Sequence, residues 1–168
     1  DFAGGKGASL SKLANGGLPV PGGLHVTTAA YKQFVAANDL QSRILTVLET
    51  VDVTQPATLA TVSRVIREMF RDGKVPPEIA DAVSQTYAQM SDGTAYVAVR
   101  SSATAEDLPD LSFAGQQETF LNIQGTDAVL DAVKRCWASL WTARAIGCRA
   151  RQDIAPENVA LAVVVQLL

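Results

Sequence analysis

The chain has 168 residues, 48% of them hydrophobic, 18% charged and 6% aromatic, which is enough for one domain with a real core. Lys and Arg number 14 against 17 Asp and Glu, a formal charge of -3, so no broad basic surface exists to hold a nucleic-acid backbone. No run reaches the ~20 apolar residues that cross a bilayer and no secretion signal opens the chain, so no membrane is expected and the expected location is the cytoplasm.

Residues 8–13 read as a short helix behind a glycine-rich start, stopped by Asn15, Gly16 and Gly17. Pro19 and Pro21 keep the next stretch extended, and residues 24–27 read as a short strand. Thr27 is placed to cap a helix carrying Tyr31, Phe34 and Val35, and Asp39 to cap one carrying Ile44, Leu45 and Leu48. Residues 58–70 repeat apolar side chains at steps of three and four, ending at Asp72 and Gly73, and Pro76, Pro77 and Glu78 open a further helix.

The pattern then changes. Residues 95–100 (AYVAVR) predict a buried strand that delivers Arg100 at its end, and residues 119–123 (TFLNI) a second strand. Gly125 and Thr126 begin the longest predicted helix, running to about Arg149, with Val129, Val133, Cys136, Trp137, Leu140 and Trp141 on one stripe. The two tryptophans could stack on a base, but that stripe assigns them to the core. Residues 158–168 predict a strand covered on both faces. The sum is an α+β fold: five or more helices with a small mixed sheet of three or four strands.

Cys136 and Cys148 match no metal or disulfide spacing and read as buried thiols. The one histidine, His25, has no catalytic partner nearby in sequence and reads as a structural or surface residue. Gly4, Gly5, Lys6, Gly7, Ala8 and Ser9 stand at a helix start, where backbone N–H groups and an ammonium suit an anion; the spacing is not that of a P-loop, and a plain glycine turn fits as well. Arg100 is followed by Ser101, Ser102 and Thr104 and a long loop with Gly115, which suits a polyphosphate, since a guanidinium grips two oxygens at once. A surface loop with a capping cluster is the competing reading.

Residues 4–13 (GGKGASLSKL), 18–34 (LPVPGGLHVTTAAYKQF), 99–122 (VRSSATAEDLPDLSFAGQQETFLN), 135–151 (RCWASLWTARAIGCRAR) and 160–166 (ALAVVVQ) closely resemble the N-terminal nucleotide-binding region of phosphoenolpyruvate synthases. Pyruvate phosphate dikinases and rifampicin phosphotransferases carry the same region, and the resemblance spans nearly the whole chain. It implies the first subdomain of a modified ATP-grasp domain, with residues 1–168 forming the N-terminal part. The second ATP-grasp half, a phosphohistidine domain and an acceptor domain are absent, and the chain looks like part of something longer.

The implied activity is that of a kinase-type phosphotransferase: the β-phosphoryl of ATP passes to a histidine of a separate domain and then to pyruvate, releasing AMP and phosphate. The alternative acceptor is a rifamycin, and a non-catalytic interaction module is the alternative of another class. By the same resemblance Lys6, Arg100, Gly115, Thr119 and Gln166 are the ATP-binding residues, with no catalytic residue and no metal ligand in this chain. Mg2+ is expected to rest on carboxylates of the missing half; Glu106 and Asp107 have oxygen donors, yet a loop-ordering role is preferred. The partners implied are ATP, the downstream domains and, through them, pyruvate or rifamycin. Without its second half, the strand at 158–168 is expected to leave an exposed edge through which the chain could dimerise.

Overall fold

The computed structural model describes residues 17–20, 23–52, 54–91, 93–102, 118–155 and 159–168. Five strands form one sheet: β1 (Gly17–Val20), β2 (Gly23–Val26), β3 (Tyr96–Ser102), β4 (Thr119–Gln124) and β5 (Ala162–Leu167), in the spatial order β1-β2-β5-β3-β4. The α-helices among the described residues are α1 (Thr28–Ala37), α2 (Leu40–Glu49), α3 (Pro56–Asp72), α4 (Pro77–Ser91), α5 (Thr126–Ala138) and α6 (Ala143–Arg151). The α+β class stands. The sheet is antiparallel at every pairing rather than mixed, because β5 runs against both of its neighbours, β2 and β3.

Strand alternation sorts the side chains. Leu24, Val26, Val97, Val99, Val163 and Val165 face inward and are fully buried. Over them α5 packs on β3, β4 and β5, while α4 packs on β1 and β2 and α1 on β5. The helical side of the core is aromatic: the Phe34 and Phe70 rings stack at 5.6 Å, and Phe34 lies 4.9 Å from Trp137. Trp141 donates its indole N–H to the Tyr31 hydroxyl at 3.1 Å, so both tryptophans belong to the core.

Three local expectations are corrected. The predicted long helix is two: α5 ends at Ala138, a 3-10 turn spans Ser139–Trp141, and Thr142 takes extended backbone (ψ 156°) before capping α6 through the Ala145 N–H at 3.2 Å. The carbonyls freed at this break do not go unpaired. Arg149 donates to Leu140 O, and the Ser63 hydroxyl of α3 donates to Trp141 O at 2.7 Å. β5 is an inner strand hydrogen-bonded on both sides, so the exposed edge expected of it does not exist. β1 is a strand despite Pro19, which a strand at the rim of a sheet tolerates because one side of it needs no N–H donors.

Thr27 and Asp39 do occupy the predicted cap positions, although neither side chain takes a helix amide. Asp39 sits in left-handed backbone (φ 53°), away from the extended geometry from which a cap reaches inward. Gly125, at φ 95°, turns the chain from β4 into α5, a conformation that costs glycine nothing. Its N–H donates to the Tyr87 hydroxyl at 2.8 Å, which in turn donates to Ala95 O at 2.6 Å; one side chain thus ties α4 to the starts of α5 and β3.

Gly23 of β2 lies close against β5: a Cβ there would stand 2.2 Å from the Val165 carbonyl oxygen. Gly23→Ala is therefore expected to cost about 1–3 kcal/mol, read as a drop of several degrees in Tm; an unchanged Tm would contradict this register. Of the two free thiols, Cys136 is buried and pushed up to about 12 by desolvation and then by the Glu118 charge, whereas Cys148 is half-buried. Alkylation by iodoacetamide is expected to label Cys148 in the native protein and Cys136 only after denaturation. Equal labelling of both native thiols would argue against this core.

Candidate functional site

The sheet has one face under the helices and one outer face, and three of the residues singled out for chemistry, Arg100, Thr119 and Gln166, fall on the outer one. On β3, Val97, Val99 and Ser101 point inward, which turns Tyr96 and Arg100 outward; both are exposed. On β5 the buried Val163 and Val165 leave Val164 and Gln166 outward and half-buried. Thr119, at the start of β4, is exposed and stands opposite Arg100 in register.

Arg100 faces Val164 across the β3–β5 ladder, so Gln166 is its diagonal neighbour two residues along β5. Diagonal pairs lie ~7–8 Å apart at the backbone, a span that two long side chains bridge. They do so here: an Arg100 Nη donates to Gln166 Oε1. The guanidinium has five N–H donors in a planar fork; among the described residues one is spent on Gln166, which leaves the others available to an anion and fixes the orientation beforehand. Next to it the Thr119 hydroxyl adds a group that donates or accepts.

Three of the five predicted ATP-binding residues are thus brought together from three adjacent strands: Arg100, Thr119 and Gln166. Lys6 and Gly115 lie outside the described residues, as do Glu106, Asp107 and the rest of 103–117. Of the hydroxyls that follow Arg100, Ser101 does not share the outer face. It is buried, its Oγ accepts the Glu118 N–H at 3.0 Å, and its own N–H donates to Glu118 O at 3.0 Å. Alternation requires this: a residue next to an outward arginine on a strand points inward. Its bonds instead tie the end of β3 to the start of β4.

His25 was not read as a site residue, yet the register sets it in the same cross-strand row, His25–Val164–Arg100–Thr119. It is half-buried, with its Nε2 buried and without a hydrogen-bond partner among the described residues, and burial pulls its pKa below the ordinary 6.5. The imidazole is consequently neutral near pH 7. Its place in one row with Arg100, across Val164, depends on β5 threading between β2 and β3, a pairing that no local pattern around residue 25 announces.

Comparison with known proteins gives consistent matches. The family profile described as "Pyruvate phosphate dikinase, AMP/ATP-binding domain" matches residues 1–168. A probable phosphoenolpyruvate synthase of Methanothermobacter thermautotrophicus is 46% identical over 169 residues, covering 98% of this chain and 25% of that protein. The phosphoenolpyruvate synthase of Escherichia coli is 46% identical over 172 residues (99% of this chain, 22% of that protein), and that of Pyrococcus furiosus 41% over 201 residues (98% and 25%). The chain spans about a quarter of the length of these relatives.

The half-buried, neutral His25 links stability to pH. A histidine with a lowered folded pKa binds fewer protons folded than unfolded. Its contribution is therefore complete above the unfolded value of 6.5 and is lost as pH falls below it. Because His25 is the single histidine, its proton NMR titration is unambiguous, and a midpoint below 6.5 is expected. Tm should fall more between about pH 7.5 and 5.5 in the wild type than in His25→Ala. A midpoint at or above 6.5 would contradict this environment.

Proposed function

Because the chain belongs to the pyruvate phosphate dikinase AMP/ATP-binding domain family, we propose that the outer face of its sheet is one wall of an ATP site in a phosphoenolpyruvate synthase-like phosphotransferase. The observation that carries this reading is the convergence of Arg100, Gln166 and Thr119 on that face, with Arg100 held in advance by Gln166. In the proposal Arg100 neutralises the phosphates, Thr119 bonds the phosphate or ribose side, and Gln166 serves the ribose and adenine end. By the resemblance, Lys6 adds an ammonium for the phosphates and Gly115 borders the nucleotide.

The chemistry asked of these residues is modest. ATP carries about four negative charges, and phosphoryl transfer is mainly positioning and charge neutralisation. A preset guanidinium does both without reorganising as the transition state forms. In this reading the β-phosphoryl passes to a histidine of a separate domain and then to pyruvate, with release of AMP and phosphate. The phosphoenolpyruvate synthase names of the relatives favour pyruvate over a rifamycin as acceptor.

The rest of the proposed ATP-grasp-like domain, the phosphohistidine domain and the acceptor domain would belong to a longer protein, a view supported by the chain's quarter share of its relatives. By itself the 168-residue chain would bind nucleotide weakly and not turn over. Mg2+ belongs to the proposal as the counterion of the triphosphate. Among the described residues no group of three or more His, Cys, Asp or Glu stands together to hold it, so no step is assigned to the metal here.

In the full-length protein, Arg100→Ala and Lys6→Ala are each expected to weaken Mg-ATP binding by at least about tenfold, measured by calorimetry. Arg100→Lys should be intermediate, since it keeps the charge and loses the fork. Arg100 is exposed, so Tm should hold. Undiminished ATP binding in both alanine variants would overturn the assignment.

A further inference from the structure

On the other side of β4 from Thr119, a cleft of about 410 Å3 opens between α3 and α5, within the range of small-molecule sites. Arg64, Arg67 and Arg71 of α3 line it at helical spacing, facing Lys134 and Arg135 of α5. For a chain of net charge -3, five cations around one hollow is a local concentration of positive charge.

Among the described residues three carboxylates also line the cleft, and two of them are already engaged. Asp131 pairs with Arg135 at 3.1 Å, and that guanidinium also lies 4.5 Å over the Phe120 ring. Glu68 pairs with Arg71 at 3.7 Å. What remains is uneven. Among the described residues Arg67 donates only its Nε, to the Ser63 hydroxyl at 3.1 Å and to the Ser63 carbonyl, and neither Nη group is spent there. Lys134 donates to the carbonyls of Arg71 and Gly73 at 2.8 and 3.0 Å, neutral groups that leave its charge uncompensated. Arg64 has no ion pair or hydrogen bond among the described residues. Against these three stands Glu118 alone, which has no ion pair there.

From this imbalance we propose that the α3–α5 cleft is a second anion site, taking a small phosphoryl-bearing molecule. Two guanidinium forks and an ammonium on facing helices suit the tetrahedral oxygens of a phosphoryl group. The concave shape suits a small molecule better than the flat face of an acidic protein. The site is independent of the nucleotide wall, since Phe120 of β4 and Glu118 just before it line the cleft while Thr119 faces the opposite way.

The test is calorimetric titration of the full-length protein with inorganic pyrophosphate, in wild type, Arg100→Ala and the double variant Arg64→Ala/Arg67→Ala. Expected are binding that survives in Arg100→Ala, a loss of at least about tenfold in the double variant, and an intermediate loss in Arg67→Lys. Both arginines are exposed, so an unchanged Tm is expected and confirms folding of each variant. Failure of the wild type to bind pyrophosphate, or undiminished binding by the double variant, would overturn the proposal. A loss confined to Arg100→Ala would assign the anion to the sheet face and overturn it as well. Succinate is the second ligand: weaker binding than pyrophosphate is expected, and equal binding would refute the phosphoryl preference.

Discussion

β5 lies between β2 and β3, hydrogen-bonded to both, and this pairing governs the rest of the molecule. It joins the last described residues to segments some 65 and 140 positions earlier in the chain. Its inward valines close the core under α1 and α5, and its outward Gln166 fixes Arg100. A shift of one residue along β5 would reverse both at once, burying the glutamine and exposing the valines. The apolar cost of such a slip therefore protects the polar arrangement on the opposite face.

Helical packing supports the same sheet through a small number of buried polar contacts. Ser63 and Arg149 take the carbonyls freed where α5 gives way to the 3-10 turn. Arg149 also lies 4.7 Å over the Trp141 ring, and burial pulls its pKa down to about 10, still charged at neutral pH. Tyr87 ties α4 to the starts of α5 and β3. These bonds hold α5 against β3 and β4, so the strand ends that carry Arg100 and Thr119 rest on a packed support. A binding group gains from such rigidity because less ordering remains to be done when the ligand arrives.

Much of this was legible from local pattern, and the remainder was not for identifiable reasons. Apolar steps of three and four predict residues 58–70 as helix, and α3 is Pro56–Asp72. The same periodicity ran on through residues 139–142 and concealed the break there, because the groups that stabilise it, Ser63 and Arg149, are supplied by tertiary contact. Pro19 predicts an extended stretch, and that stretch proves to be a strand at the rim of the sheet. Arg100 was legible as a strand-end cation. Its bond to Gln166 and its row-mate His25 were not, since both depend on which strands pair. The arginines at 64, 67 and 71 were passed over, because their facing Lys134 across a cleft needed the packing of α3 on α5.

Two cationic regions, one on each side of β4, give the account its sharpest point of decision. The direct measurement is a crystal structure of the full-length protein with Mg2+ and a non-hydrolysable ATP analogue. The account predicts nucleotide density over the outer sheet face, with phosphate oxygens on the Arg100 guanidinium and the ribose–adenine end towards Gln166. Nucleotide seated elsewhere, with Arg100 still bonded only to Gln166, would contradict it.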